Sequence, residues 1–112
     1  MSENTQPNTL AEAVEILEKE LSPDSLYSIR KMDKDDLAGM HHTLGRHLRN
    51  NWGLWTEDAP LKKHMMRLGF THPDDMSSVI LESLWHKLNN MPYDVKIKVQ
   101  EFQDYWKQAP KK

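Results

Sequence analysis

Imidazoles and carboxylates are the groups that do chemistry near neutral pH, and the chain has six histidines and 17 acidic residues. His41, His42 and His47 lie close together, while His64, His72 and His86 stand apart. A zinc site on a helix takes two ligands one turn apart, at i and i+4, with a further histidine or carboxylate. No two histidines have that spacing: His42 is followed at i+4 by Arg46, and HExxH does not occur. There is no cysteine to supply a thiolate or a disulfide. The pattern predicts no metal and no cofactor, with the histidines at the surface or the core boundary.

The acids are richest in meaning at "HPDDMSS". A hydrolase built on His72, Asp74 and Asp75 is one reading, with the paired carboxylates as acid and base. The better reading is a helix start. Pro73 suits the first helical position, and carboxylates in the first turn stabilise its free N–H groups by about 0.3–1 kcal/mol each. The same carboxylates are within reach of Arg46 or Arg49 if the two helices cross. Ser77 and Ser78 fall inside this helix start with no base beside them. No phosphate-binding glycine loop or dinucleotide fingerprint occurs. The expectation is a protein that is not an enzyme.

A second stretch, "LGRHLRNNWGLW", mixes a stripe with polar residues. Leu44, Leu48 and Trp52 follow helical spacing, and Gly53 suits a left-handed terminator. The stretch therefore reads as an elaborate helix end: Trp52 in the core, Trp55 folded back as a lid, and Arg49 and Asn50 bonding loop carbonyls or the 74–75 carboxylates. The rival is a recognition surface. His42, Arg46 and Arg49 fall at i, i+4 and i+7 of one long helix, with Lys62, Lys63 and Arg67 nearby in sequence.

The elements that must position these residues are all helices. Thr9 and Glu12 are spaced as a capping box, and Leu10, Ala13, Val14, Leu17 and Leu21 form the stripe of a first helix. Ser22 and Pro23 begin a second, short one, anchored by Leu26 and Ile29. A third is expected to run unbroken from Asp33 to Gly53, with Leu37, Met40, Leu44, Leu48 and Trp52 inward. A fourth follows Pro60, with Leu61, Met65 and Leu68 inward and Gly69 at its end. The fifth, from Pro73, has the broadest stripe (Met76, Val79, Ile80, Leu84, Trp85, Leu88) and is expected to be central. In the last segment Val95, Ile97 and Val99 alternate as in a strand, but Val95, Val99, Phe102 and Trp106 fit a helix over a longer span. The class is all-α: a bundle of five or six short helices without significant sheet, residues 9–108, flanked by flexible ends at 1–8 and 109–112.

Composition narrows the setting. A chain of 112 residues is one domain. Neither a signal peptide nor a membrane span is legible, and with no cysteine the expected compartment is the cytoplasm. The net charge of −2 is unevenly spread. Acids dominate residues 1–36, while residues 37–72 are basic and hold most of the histidines. A pI of about 6.3 disfavours a dedicated DNA binder. Nucleic acid recognition by the basic middle third remains an alternative. Four tryptophans and seven methionines favour a protein–protein contact, because such side chains are enriched at interfaces. The leading expectation is a small helical protein that binds another protein.

The blocks "HHTLGRHLRNNWGLW" and "GFTHPDDMSSVILESLWHKLN" resemble a bacterial and phage family of domains of unknown function, family 6794. The positions that carry the resemblance are Leu44, Gly45, Arg49, Asn50, Trp52, Leu54, Trp55, His72, Pro73, Asp74, Asp75, Met76 and Ser77. Where that family often has an apolar residue after the glycine, this chain reads "RHL". The resemblance implies a shared fold over about residues 9–90 and supplies no established activity, substrate or catalytic residue. It fits an accessory, inhibitor or antidote-like role in a bacterium or phage, in the host cytoplasm if phage-encoded.

Overall fold

The helix from Pro73 to Leu88 (α5) is the one around which the others are arranged. Its buried residues, Met76, Ser77, Val79, Ile80, Leu81, Leu84 and His86, cover far more than one stripe. A helix covered on several sides needs this nearly continuous apolar run. The computed structural model describes residues 7–54 and 59–108, and of Ala38, His41, His42 and Gln108 the backbone only. Against α5 pack α1 (Leu10–Glu20), α2 (Pro23–Lys31), a 3-10 helix (Lys34–His42) and α3 (Leu44–Asn51). The helices α4 (Pro60–Leu68) and α6 (Val95–Gln108) complete the all-α bundle. None of the described helices is long and apolar enough to cross a membrane.

The helix starts follow from local chemistry. Thr9 Oγ1 accepts the Glu12 N–H at 3.2 Å, while the Glu12 carboxylate accepts from the Asn8 N–H at 2.8 Å. This is a capping box displaced by one residue on its return arm. Ser22 Oγ accepts the Ser25 N–H at 3.1 Å, with Pro23 in the first turn of α2. Only Ile29 of α2 is fully buried, so this helix needs other anchors. They come from α5: Trp85 Nε1–H donates to the Met32 carbonyl at 2.9 Å and Asn89 Nδ2 to the Arg30 carbonyl at 3.2 Å. Both acceptors belong to the last turn, where carbonyls lack helical partners.

The third helix is not continuous, contrary to its sequence pattern. The chain runs as a 3-10 helix to His42, turns at Thr43 (φ −114°, ψ −86°), and resumes as α3. Gly39 weakens α-helix formation. The Thr43 N–H and hydroxyl both turn back onto the Met40 carbonyl, at 3.1 and 3.3 Å. That i→i+3 closure is the 3-10 pattern. The first inward pair agrees with it: Leu37 and Met40 are three apart, whereas Leu44, Leu48 and Trp52 are four apart.

At its other end α3 stops as the sequence predicts. Gly53 takes the left-handed conformation (φ 68°). The Leu54 N–H reaches back to the Arg49 carbonyl at 3.1 Å, and the Trp52 N–H to that of Leu48 at 2.9 Å. The longer bond is that of a Schellman motif, and Leu54, which donates it, is fully buried. Trp52 is in the core as expected. Trp55, read as a lid, lies outside the described residues.

The last segment is a helix, α6, and none of its described side chains is fully buried. Asp94 Oδ1 caps it by accepting from the Lys96 and Ile97 N–H groups at 3.0 and 3.3 Å. Val95, Val99 and Phe102 face the core. The Phe102 ring meets Phe70 edge-on, with centroids 5.8 Å apart. Tyr93, just before α6, donates its hydroxyl to Glu82 Oε1 at 3.0 Å, and Lys98 pairs with Glu82 at 3.3 Å and Glu101 at 3.0 Å. Burial and then the Glu82 charge push the Tyr93 phenol above its usual range.

Candidate functional site at the meeting of two sequence blocks

The two blocks that stood out in the sequence touch each other. Arg49 Nη1 donates to Ser77 Oγ at 2.8 Å, and Arg49 Nε lies 3.4 Å from Asp74 Oδ1. Ser77 in turn donates its hydroxyl to the Asp74 backbone carbonyl at 3.0 Å, which leaves its lone pairs for the guanidinium. Arg49 is only 6% exposed and Ser77 fully buried, while the Asp74 side chain is 60% exposed. The sequence predicts that a basic helix end meets an acidic helix start, and Arg49 does reach Asp74.

Gly45 provides the room. A Cβ there would stand 3.2 Å from Arg49 Nη1, 3.4 Å from the Met40 carbonyl and 3.6 Å from Ser77 Oγ. The buried side of α3 is Gly45, Leu48 and Arg49, continued by Trp52. Leu44 is only partly buried, so the inward face is rotated from the stripe that hydrophobicity alone draws.

This rotation corrects the expected recognition face. Arg49 does not share an exposed side with Arg46; it points into the bundle. His42 lies in the 3-10 segment, across the Thr43 break from Arg46, so the i, i+4, i+7 alignment does not hold. Lys62 is also turned inward, 8% exposed, with its ammonium donating to the Leu54 carbonyl at 2.8 Å. It thereby fastens α4 to the end of α3. Arg46, Lys63 and Arg67 are exposed, as is Asn50. Among the described residues no group of three histidines and acids is placed to hold a metal ion.

The other half of "HPDD" faces α6. The His72 and Trp106 rings stack with centroids 3.9 Å apart and planes 25° from parallel. Trp106 Nε1–H donates to Asp75 Oδ2 at 2.7 Å. Beside them lies a cleft of about 460 Å³ between the α4–α5 turn and α6, walled by Phe70, Phe102 and Trp106, with Asp75 and Lys107 as its charged residues. Gly69 lets α6 approach: it has φ 120°, and a Cβ would meet Val99 Cγ1 at 2.6 Å. Sequence reasoning missed this cleft, because Trp106 continued an apolar stripe and read as core. The signal was the indole N–H, which needs a polar partner wherever the ring is covered.

Residues 6–88 match a family described as a domain of unknown function, DUF6794. The chain belongs to this family. No curated protein and no solved structure matches it. Within the DUF6794 region, the blocks on which the sequence resemblance rests are joined by the Gly45–Arg49–Ser77–Asp74 contact. The cleft, by contrast, has one wall inside the DUF6794 match and the other, α6, beyond its last residue.

Proposed function

We propose that this DUF6794 domain is a non-enzymatic binding module of the cytoplasm. Its partner is another protein, met in a bacterial or phage accessory, inhibitor or antidote-like role. The contact is made at the C-terminal aromatic edge. The observation that carries the reading is the exposure of adjacent aromatics, Tyr105 at 61% and Trp106 at 42%, next to a cleft. Tryptophan and tyrosine dominate the energetic centres of protein interfaces. The other described tryptophans have internal work: Trp52 fills the core and Trp85 holds α2. The polar residues that sequence nominated for catalysis are likewise engaged, Asp74 with Arg49, and Asp75 and His72 with Trp106. A nucleic-acid reading loses ground because Arg49 and Lys62, two of the five bases in the middle third, point inward.

The test is affinity capture from a native host with the full chain and with Tyr105→Ser, which keeps both partners of the Trp106–Asp75 bond. A protein retained by the parent and lost by the variant supports the reading. Capture of nucleic acid that salt releases overturns it in favour of the basic surface. Equal retention of the same protein by both chains removes the aromatic edge from consideration.

A further inference from the structure

We infer that the cleft between the α4–α5 turn and α6 receives an arginine side chain carried by the protein partner. The inference rests on the protein-binding reading above and names the chemistry of the partner.

The cleft has the size of a side-chain or small-ligand site, about 460 Å³. Its walls are aromatic. Phe70 and Phe102 stand edge to face, and the indole of Trp106 closes one side. One face of that indole is covered by His72, which is not among the residues lining the cleft. Tyr105 meets the same indole at right angles, with centroids 5.1 Å apart, and Trp106 also lines the cleft.

The anchored charge of the cleft is negative. The Asp75 carboxylate is held by the indole N–H on Oδ2. A carboxylate offers about four acceptor directions, so further donors can be met. Lys107, the cation of the lining, is exposed and hangs on a flexible four-carbon stem that can swing away into water. A ligand meets a fixed anion beside an aromatic wall and a movable cation at the rim.

A flat cation suits this arrangement. Guanidinium stacks on indole and presents parallel N–H donors to a carboxylate. A lysine ammonium is a strongly hydrated point charge and gains less from a flat wall. A neutral planar group gains the stack but not the ion pair.

The experiment uses the full chain labelled with 15N and follows the Trp106 indole N–H signal, assigned by its loss in Trp106→Phe. The probes are blocked tripeptides, acetyl-Gly-Arg-Gly-amide and its citrulline and glutamate counterparts. The arginine probe is expected to shift the signal saturably with a dissociation constant on the order of 10 mM, as befits one side chain. Asp75→Asn, whose amide oxygen can still accept the indole N–H, is expected to weaken binding about three- to fivefold. Lys107→Gln is expected to strengthen it about twofold, as for partly exposed charges. Binding of citrulline equal to arginine, tighter binding of the glutamate probe, or no saturable shift overturns the inference. So does an unchanged affinity in Asp75→Asn with an unchanged melting curve. If capture finds a partner that needs Tyr105 while the arginine probe leaves Trp106 unmoved, the cleft chemistry fails and the protein-binding reading stands. If the probe binds and no protein is captured, the reverse holds.

Discussion

Arg49 and Ser77, 28 residues apart in sequence, meet at 2.8 Å across the α3–α5 contact. The guanidinium lies directly beside Gly45, on the preceding turn of the same helix. A glycine inside a helix ordinarily costs up to about 1 kcal/mol relative to alanine. Gly45→Ala is nonetheless expected to destabilise, by about 1–2 kcal/mol, because the new methyl crowds the buried arginine. In an Arg49→Ala background the same substitution should be neutral or stabilising. Urea midpoints of the four chains give the coupling, expected above about 0.5 kcal/mol. Additive effects would show that Gly45 does not serve Arg49.

Removing the Ser77 hydroxyl leaves the buried guanidinium short of an acceptor. Ser77→Ala is expected to cost about 1–3 kcal/mol, typical of losing one partner of a buried charged hydrogen bond. Trp52→Ala should cost more, about 3–5 kcal/mol, as for a large core aromatic. A smaller loss for Trp52 than for Ser77 in chemical denaturation would reverse this ranking.

Gly69→Ala tests how α6 is seated. The position has φ 120°, and the methyl would be driven into Val99. Backbone strain alone is of order 1–3 kcal/mol, and the collision pushes α6 outward. Trp106 emission is expected to shift red as the indole leaves Asp75 and His72. An unshifted spectrum would mean that the approach of α6 does not depend on this glycine.

Acid should weaken the fold through His64. Burial first, then the neighbouring Arg67 charge, hold its imidazole below the usual 6.5, with Glu12 opposing. The unfolded chain therefore binds this proton at higher pH than the native one. The His64 contribution is intact above about pH 6.5 and is lost as pH falls through the lowered native value. Replacing it by glutamine should flatten the decline in urea midpoint between about pH 7.5 and pH 5.5. A parallel decline in both chains would assign the acid sensitivity elsewhere.

Arg46→Glu separates the two candidate surfaces. Arg46 is exposed, so charge reversal should change stability by no more than about 0.5 kcal/mol. Capture of a partner through Tyr105 and Trp106 should be unaffected. A loss of binding worth 1 kcal/mol or more, roughly the level that marks an important interface residue, would return the contact to the α3 face.

Most of the architecture was legible because helix punctuation is local. Thr9, Ser22, Pro60, Pro73, Gly53 and Gly69 each act within a few residues of their own position, and hydrophobic spacing did the rest. The break at Thr43 was not legible as a break. One step of three against several of four is a faint trace, and 3-10 and α segments alike turn such residues inward. Arg49 was misread because a charged residue beside an apolar stripe ordinarily faces water. The corrective sign was Gly45 four residues earlier, a notch on the same face. The Arg49–Asp74 pairing was foreseen because opposite charges at a helix end and a helix start attract wherever the helices cross. The α6 cleft was not, since it depends on how two distant segments close on each other.

The last helix has a thermodynamic consequence. With no described side chain fully buried, α6 has little apolar area to lose on opening, so its local unfolding free energy should fall well below that of α5. In amide exchange, α6 protons would trade with solvent while those of α5 wait for global unfolding. Because α6 forms one wall of the cleft, any occupant selects the docked fraction of molecules. Its apparent affinity scales with that fraction. Substitutions that tighten α6 outside the cleft lining, at Val95, would then raise affinity without touching the guest.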